Sequence, residues 1–412
     1  MSDQMQEGMA EAMRLTREGR LAEATAVIQR TLGGGFTPAS SPGAPGGADE
    51  PSEATRRTLN GAAQPTTAPS QPSTTKKRTL RPAPQPPRGF RGMEWPPGGL
   101  PGTMPRPQEG VPTSTVVPAG GQFVERSYTN RAGTRAYKLY IPSGYVGQAV
   151  SLVVMLHGCA QHPDDFAAGT LMNALAEEYT LLVAYPAQAQ NANVSGCWNW
   201  FQVADQQRGR GEPSIVAGIT CEVIGEYHVD PGQVYVAGMS AGGAMAAIMG
   251  VTYPDLYAAV GVHSGLAPGA AQDLSSALTA MQHGGAGTVH QDATIGEPAR
   301  IVPVIVFHGD RDTTVHPRNA DHLLAHWTAA NIAGRDATGG PAPQVTTRQG
   351  QVPGGYAYTC ATYHDAGGRA IMEQWTIHGL GHAWSGGSLP GSYTDPKGPD
   401  ASAEMVRFFL AR

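Results

Sequence analysis

The sequence predicts an α/β fold: a mostly parallel central sheet with helices on both faces, preceded by a helical N-terminal segment and a disordered linker. Three observations predict it. From about Ala119 onward, short apolar runs alternate with helix-like segments. Those runs are continuous rather than alternating, as strands covered on both faces must be. Upstream of them the composition shifts abruptly to Pro, Gly, Ser and Thr, with too few large apolar residues to build a core.

The 412-residue chain therefore reads as three segments. Residues 1–34 form an amphipathic helical segment, in which Met5, Met9, Met13, Leu15, Leu21, Ala24, Val27, Ile28 and Leu32 recur at helical spacing. Gly19 interrupts the pattern, so two short helices joined at REGRLAEA fit as well as one. Such short helices are marginal alone, and the apolar stripe needs a partner: the folded domain, another copy of the chain, or an apolar surface. Residues 35–118 are a Pro/Gly/Ser-rich linker, locally basic at KKRTLRPAPQPPRGFRG, in which Phe90 and Trp95 offer two clips onto the folded body. Residues 119–412 carry the α/β domain.

Within that domain the elements follow in order. QFVERSYT and RAYKLYIP alternate and predict a hairpin around NRAGT. SLVVMLHG, LLVAYPA, QVYVAGMS, AAVGVHSG, PVIVFHGD and IMEQWTIHG predict buried strands. DDFAAGTLMNALAEEY, PSIVAGITCEVIGEYH, AGGAMAAIMGVTY and PRNADHLLAHWTAAN predict the helices between them. DASAEMVRFFLAR closes the chain as an amphipathic helix with Met405, Val406, Phe409 and Leu410 inward.

Bulk properties exclude several classes. A formal charge of −5 leaves no basic excess to displace phosphate counterions, so nucleic acid is not the expected partner. No run approaches the ~20 apolar residues of a transmembrane helix. MSDQMQEGMAEAMRLTREGR has neither the basic nor the apolar region of a secretory signal, which sets the expectation of a cytoplasmic location. The four cysteines, Cys159, Cys197, Cys221 and Cys360, lack zinc-site spacing, and in a reducing cytosol the expectation is free thiols, with three pairings open.

Chemistry enters at GMSAG. Gly238-Met239-Ser240-Ala241-Gly242 fits G-x-S-x-G, with an apolar strand before it and an Ala/Met-rich helix after it. Flanking glycines suit a sharp turn that lifts a serine hydroxyl above the sheet edge, beside the positive end of the helix. A hydroxyl needs a base, and the base needs a carboxylate to hold its tautomer. In the α/β-hydrolase order both follow the serine. PVIVFHGDRDTTVHP offers Asp310 and Asp312; Asp312 is preferred as lying further past the strand, leaving Asp310 to brace the loop. WTIHGLGHAWSGG offers His378 and His382; His382 is preferred because its Gly-rich loop can reach over the sheet. His308 and His378 are expected to be satisfied by their surroundings. The developing oxyanion needs donors: the N–H of Ala241, and that of Cys159 or Ala160 in LHGCAQHPDDF, with Cys159 preferred.

LHGC, CWNWF, DQQRGRGEPSIVAGI, VDPGQVYVAGMSAGGAMA, FHGDRDTTV and GLGHAWSGG together resemble the poly(3-hydroxybutyrate) depolymerase-type esterases of the α/β-hydrolase superfamily, a group similar to bacterial feruloyl and acetylxylan esterases. The resemblance spans roughly Gly121 to Arg412. It implies an α/β-hydrolase fold, a Ser240–Asp312–His382 triad, and a serine esterase that cleaves carboxylic esters through an acyl-enzyme without metal or organic cofactor. The implied substrates are poly(3-hydroxybutyrate)-type polyesters, their oligomers and short-chain esters. Plant polysaccharide esters, or a polymer-granule surface role with secondary esterase activity, are the alternatives. MRLTREGRLAEATAVIQRTL resembles an N-terminal extension of some bacterial members, and a polymer-granule surface is one partner open to the apolar stripe of residues 1–34, beside packing on protein. Trp198, Trp200 and Trp384 are expected to wall the substrate pocket. Cys159 and Cys197 both belong to the implied rim, so a disulfide, if formed, is expected there first, with Cys221–Cys360 the other open pair.

Overall fold

The computed structural model of the chain describes residues 118–287, 302–336 and 343–412. The expected amphipathic segment, the linker up to residue 117, and its residues Phe90 and Trp95 lie outside the described residues.

A ten-stranded sheet organises the domain, in the order β1-β2-β4-β3-β5-β6-β7-β10-β9-β8. β1 (Gln122–Asn130) and β2 (Gly133–Ile141) form the expected hairpin. β3 (Val150–Leu156), β4 (Leu182–Pro186), β5 (Val229–Met239), β6 (Ala259–His263), β7 (Val304–Gly309) and β10 (Ala370–His378) are the apolar runs. β4-β3-β5-β6-β7-β10 pair in parallel, and antiparallel strands close both flanks. On the far flank lie β8 (Gln344–Gln351) and β9 (Ala357–His364). A separate two-stranded ribbon joins β11 (Trp384–Ser385) to β12 (Thr394–Asp395).

Continuous apolar strands make sense because helices cover both faces. Successive residues of β3 divide between two cores: Leu152, Val154 and Leu156 face one, and Val153 and Met155 the other. The first core packs α3 (Gly211–Glu226), α4 (Ala241–Thr252) and α6 (Arg318–Asp336) through Val216, Met245 and Leu323. The second packs α1 (Pro163–Thr170), α2 (Met172–Tyr179) and the closing α7 (Ala401–Leu410) through Phe166, Met172 and Phe409. α5 (Leu274–His283), opened by a reciprocal Asp273/Ser276 capping box, adds to the first. Among the described residues no helix is long and apolar enough to cross a membrane.

Several details differ from expectation. DDFAAGTLMNALAEEY is two helices, broken where Leu171 adopts φ 57° and caps α1. In α7, Phe408 is buried and Leu410 half-exposed, a rotation of the stripe by less than one turn. β8, β9, α5 and the β11–β12 ribbon are new; QVTTRQGQ of β8 lies exposed at the sheet edge and carries no apolar pattern.

Candidate active site

Ser240 stands at the junction of β5 and α4 with φ 55° and ψ −119°, a positive-φ conformation that an L-residue adopts only under constraint. The flanking glycines supply that constraint. A Cβ on Gly242 would lie 2.0 Å from the Leu156 carbonyl oxygen, and one on Gly238 would lie 2.4 Å from that of Gly242. No side chain fits either place, so the turn closes tightly against β3. Ser240 N–H donates to His263 O at 2.9 Å, and Ser240 O accepts from Ala244 N–H to start the helix. The expected turn geometry is therefore in place, and Ser240 opens onto a small cleft that His382 also lines.

Asp312 and His382 meet by hydrogen bond. His382 Nδ1 donates to Asp312 Oδ2 at 2.7 Å, which leaves Nε2 as the basic nitrogen. Asp312 Oδ1 accepts the Thr314 and Val315 N–H groups at 2.9 and 2.8 Å, so the loop fixes the carboxylate from below. His308 Nε2 donates to Val315 O at 2.8 Å and lies 3.4 Å from Asp312 Oδ2. Burial pushes the Asp312 carboxyl up, but hydrogen bonds from His308 and His382 outweigh it and hold the group well below the usual carboxylate range. The alternatives weighed in sequence, Asp310 and His378, pair with each other on the surface at 3.0 Å, where Asp310 also accepts Gly379 N–H at 2.7 Å.

The turn after β3 isolates one donor. Gly158 N–H goes to Gln161 Oε1, Ala160 N–H to Ser195 O at 2.9 Å, and Gln161 N–H to Gly158 O at 3.3 Å. The Cys159 N–H is left without an acceptor among the described residues, on a residue that lines the same cleft as Ser240. Ala160, the alternative donor, is already engaged. Ala241, first residue of α4, has its N–H at the helix N-terminus next to the serine.

Free thiols were expected, and the structure corrects this for one pair: Cys159 and Cys197 form a disulfide, while Cys221 and Cys360 remain free. The bond ties the turn to the loop after β4. Behind that loop Glu212 accepts from Asn199 N–H at 2.7 Å, Asn199 Nδ2 at 2.9 Å and Arg135 at 3.2 Å.

The three tryptophans expected to wall a pocket are core residues instead. Trp198 is fully buried and donates to His157 O at 3.1 Å, and Trp200 packs edge-on to Phe201 in the same core. Trp384 stacks on His263 and donates to Ser402 Oγ at 3.1 Å. Their rings are large and apolar, and helices on both faces give them a dry place to go. The cleft is lined by Gln161, Met239 and Tyr393, which sequence reasoning did not single out. His263 was also missed. Its carbonyl takes the Ser240 N–H while its Nε2 accepts Ser385 N–H at 3.0 Å, so one buried ring joins the serine turn to the His382 loop. Burial lowers its pKa to about 3, with the neighbouring His308 and His382 adding to the effect, which keeps it neutral and able to accept. Its signal was available in AAVGVHSG, a histidine ending a parallel strand next to the serine strand.

Comparisons with known proteins agree with this architecture. Residues 135–351 match the family described as Esterase PHB depolymerase, a stretch holding Ser240 and Asp312 but ending before His382. Poly(3-hydroxyalkanoate) depolymerase C of Paucimonas lemoignei is 32% identical over 260 residues, which is 62% of this chain and 59% of that protein. Probable acetylxylan esterase A of Neosartorya fischeri is 28% identical over 55% of this chain and 63% of its own length. Feruloyl esterase B of Neurospora crassa is 28% identical over 53% of this chain and 78% of its length. The chain thus spans about three fifths of the first two relatives. Among solved structures, an acetyl xylan esterase from Aspergillus awamori superposes with a TM-score of 0.50 at 21% identity, covering 71% of this chain and 99% of that one, which speaks to the fold. Because the family match covers more than half of its length, the chain belongs to the esterase PHB depolymerase family.

Proposed function

We propose that the chain is a serine ester hydrolase that works through an acyl-enzyme on Ser240. The observation that carries this reading is the His382–Asp312 hydrogen bond of 2.7 Å, made by an imidazole that shares its cleft with Ser240. In the proposed reaction His382 Nε2 takes the hydroxyl proton as Ser240 Oγ attacks the ester carbonyl. The N–H groups of Ala241 and Cys159 receive the oxyanion, where each such donor is worth about 10²–10³ in rate. Asp312 stays ionised and stabilises the imidazolium, which then protonates the leaving alcohol. Water, deprotonated by the same imidazole, frees the acid from Ser240.

The substrates we propose are poly(3-hydroxybutyrate)-type polyesters, their oligomers and short-chain esters, a reading supported by the relative named a poly(3-hydroxyalkanoate) depolymerase. A second reading, acetyl or feruloyl esters of plant polysaccharide, is supported by the relatives named acetylxylan and feruloyl esterases. Rates on 3-hydroxybutyrate oligomers, acetylated xylan and methyl ferulate separate the two. Hydrolysis of p-nitrophenyl butyrate that vanishes in Ser240→Ala, with the fold kept, tests the reaction itself; wild-type rates in that variant end it.

Residues 1–34 are proposed to hold a polymer-granule surface through their apolar stripe. Gln substitutions at Leu21, Val27 and Ile28 should then abolish co-sedimentation of the full chain with native granules. We propose a cytoplasmic location from the N-terminal composition; the Cys159–Cys197 disulfide argues instead for an oxidising compartment, since cytosolic thiols are held reduced. Cell fractionation decides it.

A further inference from the structure

We propose that Gln161 is the positioning residue of the oxyanion-binding turn: its side-chain amide sets the direction of the Cys159 N–H and fastens that turn to the loop carrying Tyr393. This deepens the serine-hydrolase reading and rests on it.

The turn runs from Gly158 to Gln161 and is held from within by its last residue. Gln161 N–H closes it onto Gly158 O at 3.3 Å, and Gln161 Oε1 accepts Gly158 N–H at 2.9 Å. Ala160, at φ 61°, turns its own N–H away to Ser195 O. Gly158 O, the carbonyl of the Cys159 peptide itself, also accepts from His157 Nδ1 at 2.8 Å; with that carbonyl held and the peptides on either side anchored through Gln161 Oε1 and Ser195 O, the Cys159 N–H has one orientation left. The Cys159–Cys197 disulfide cannot replace the Gln161 bonds, because it restrains a side chain and bonds to none of the peptide groups of the turn. The turn also abuts the nucleophile. A Cβ on Gly158 would stand 3.0 Å from Gln161 Oε1 and 3.6 Å from Ser240 Cβ.

The other end of the amide reaches across the cleft. Gln161 Nε2 donates to Asp165 Oδ2 and to Ser392 O, each at 3.0 Å. Asp165 in turn accepts Ser392 N–H at 2.8 Å and Ser392 Oγ–H at 2.5 Å, which secures the residue preceding Tyr393. The Gly158 N–H can only donate and the Asp165 carboxylate only accept, so the position requires an acceptor and a donor on one neutral, buried group. Glutamine meets that demand; a carboxylate meets it only while it holds a proton.

That last point supplies the test. In Gln161→Glu the new carboxylate faces Asp165 at hydrogen-bond distance, so the pair should share one proton at low pH and lose it as pH rises. The other titratable groups around the position are His157 at the end of β3, His162 at the start of α1, and His382 and Tyr393 across the cleft. Dividing the variant's kcat/KM by that of the wild type at each pH cancels the requirement for neutral His382. The ratio should lie within about fivefold of one near pH 5.5 and fall at least ~30-fold lower by pH 9, part of the ~10²–10³ that one oxyanion donor supplies. Gln161→Leu should lower kcat by about 10–100-fold at every pH, with KM within about threefold, and weaken a trifluoromethyl ketone inhibitor in parallel. A Gln161→Glu deficit equal at both ends of the pH range, or Gln161→Leu within twofold of wild type, overturns the assignment. Should Gln161→Leu fail to fold, Gln161→Glu still decides, because one folded sample is read at both pH values. Ser240→Ala runs alongside: activity surviving there overturns the nucleophile reading, a result distinct from any at Gln161.

Discussion

His382 and Asp312 are 70 residues apart in sequence and meet at 2.7 Å between Nδ1 and Oδ2, the carboxylate buried and the imidazole partly so, with His308 Nε2 3.4 Å from the same oxygen. Two imidazoles thus flank one carboxylate, and two loop N–H groups hold its other oxygen. An Asp312→Asn variant can keep those two loop bonds through its carbonyl oxygen while its amide NH₂ faces His382. The imidazole must then turn its acceptor nitrogen toward residue 312 and present an N–H to the serine. Catalysis should fall by about 10⁴ in kcat with the fold intact. Steady-state kinetics with a thermal melt checks it, and a loss below tenfold contradicts it.

Stability should decline on the acid side of neutrality. Burial pushes His157 down to about 4 and His263 to about 3 from 6.5. The unfolded chain therefore binds more protons than the folded one below about pH 6.5, so the stability these neutral rings supply is present above that pH and lost as pH falls. Asp205 works the other way, since burial and the nearby Glu212 raise it to about 6 from 3.8. Asp312, held low, adds to the acid loss only below its unfolded value of 3.8. His326 is pushed down by burial as well and Asp400 up, so three depressed histidines stand against two raised aspartates and leave a net uptake of protons on unfolding below about pH 6. Urea midpoints from pH 4 to 8 should show a plateau above pH 7 and a fall below 6. A flat profile would refute this.

Gly242→Ala should not yield active enzyme. The added methyl would sit 2.0 Å from Leu156 O and 2.5 Å from His157 O, both backbone atoms of the neighbouring strand and its end. Neither can retreat without opening the β3–β5 pairing. Destabilisation above about 4 kcal/mol is expected, read as loss of soluble protein or a collapsed melting temperature.

Breaking the Cys159–Cys197 bond should cost stability. The bridge closes a loop with a sequence separation of 38, for which chain entropy gives about 4 kcal/mol. Cys197→Ser, compared with the oxidised wild type in urea, should lose about 2–4 kcal/mol. An unchanged midpoint would mean that Asn199, Glu212 and Gln188, whose Nε2 donates to Cys197 O at 2.7 Å, hold the loop unaided.

Much of this was legible in the sequence. The parallel strands declared themselves as apolar runs, and GMSAG announced its turn because strand and helix flanked it. Asp312 and His382 could be ranked above Asp310 and His378 but not proved, because the four residues differ by contacts formed only after folding. The misreadings share one cause. Trp384 rides on the His382 loop in sequence, yet its ring points into the core between His263 and Phe166, a direction no spacing encodes. Gln161 and His263 escaped notice because their importance lies in whose backbone they bond. β8 escaped because an exposed edge strand of Thr and Gln looks like a loop.

The central claim is that Ser240 is the atom carrier of the acyl group. The most direct measurement is peptide mass spectrometry after reaction with a fluorophosphonate, which phosphonylates an activated serine. The account predicts a single adduct on the peptide containing Ser240, absent in Ser240→Ala and greatly slowed in His382→Ala. An adduct on another residue, or full p-nitrophenyl butyrate hydrolysis by Ser240→Ala, would contradict it.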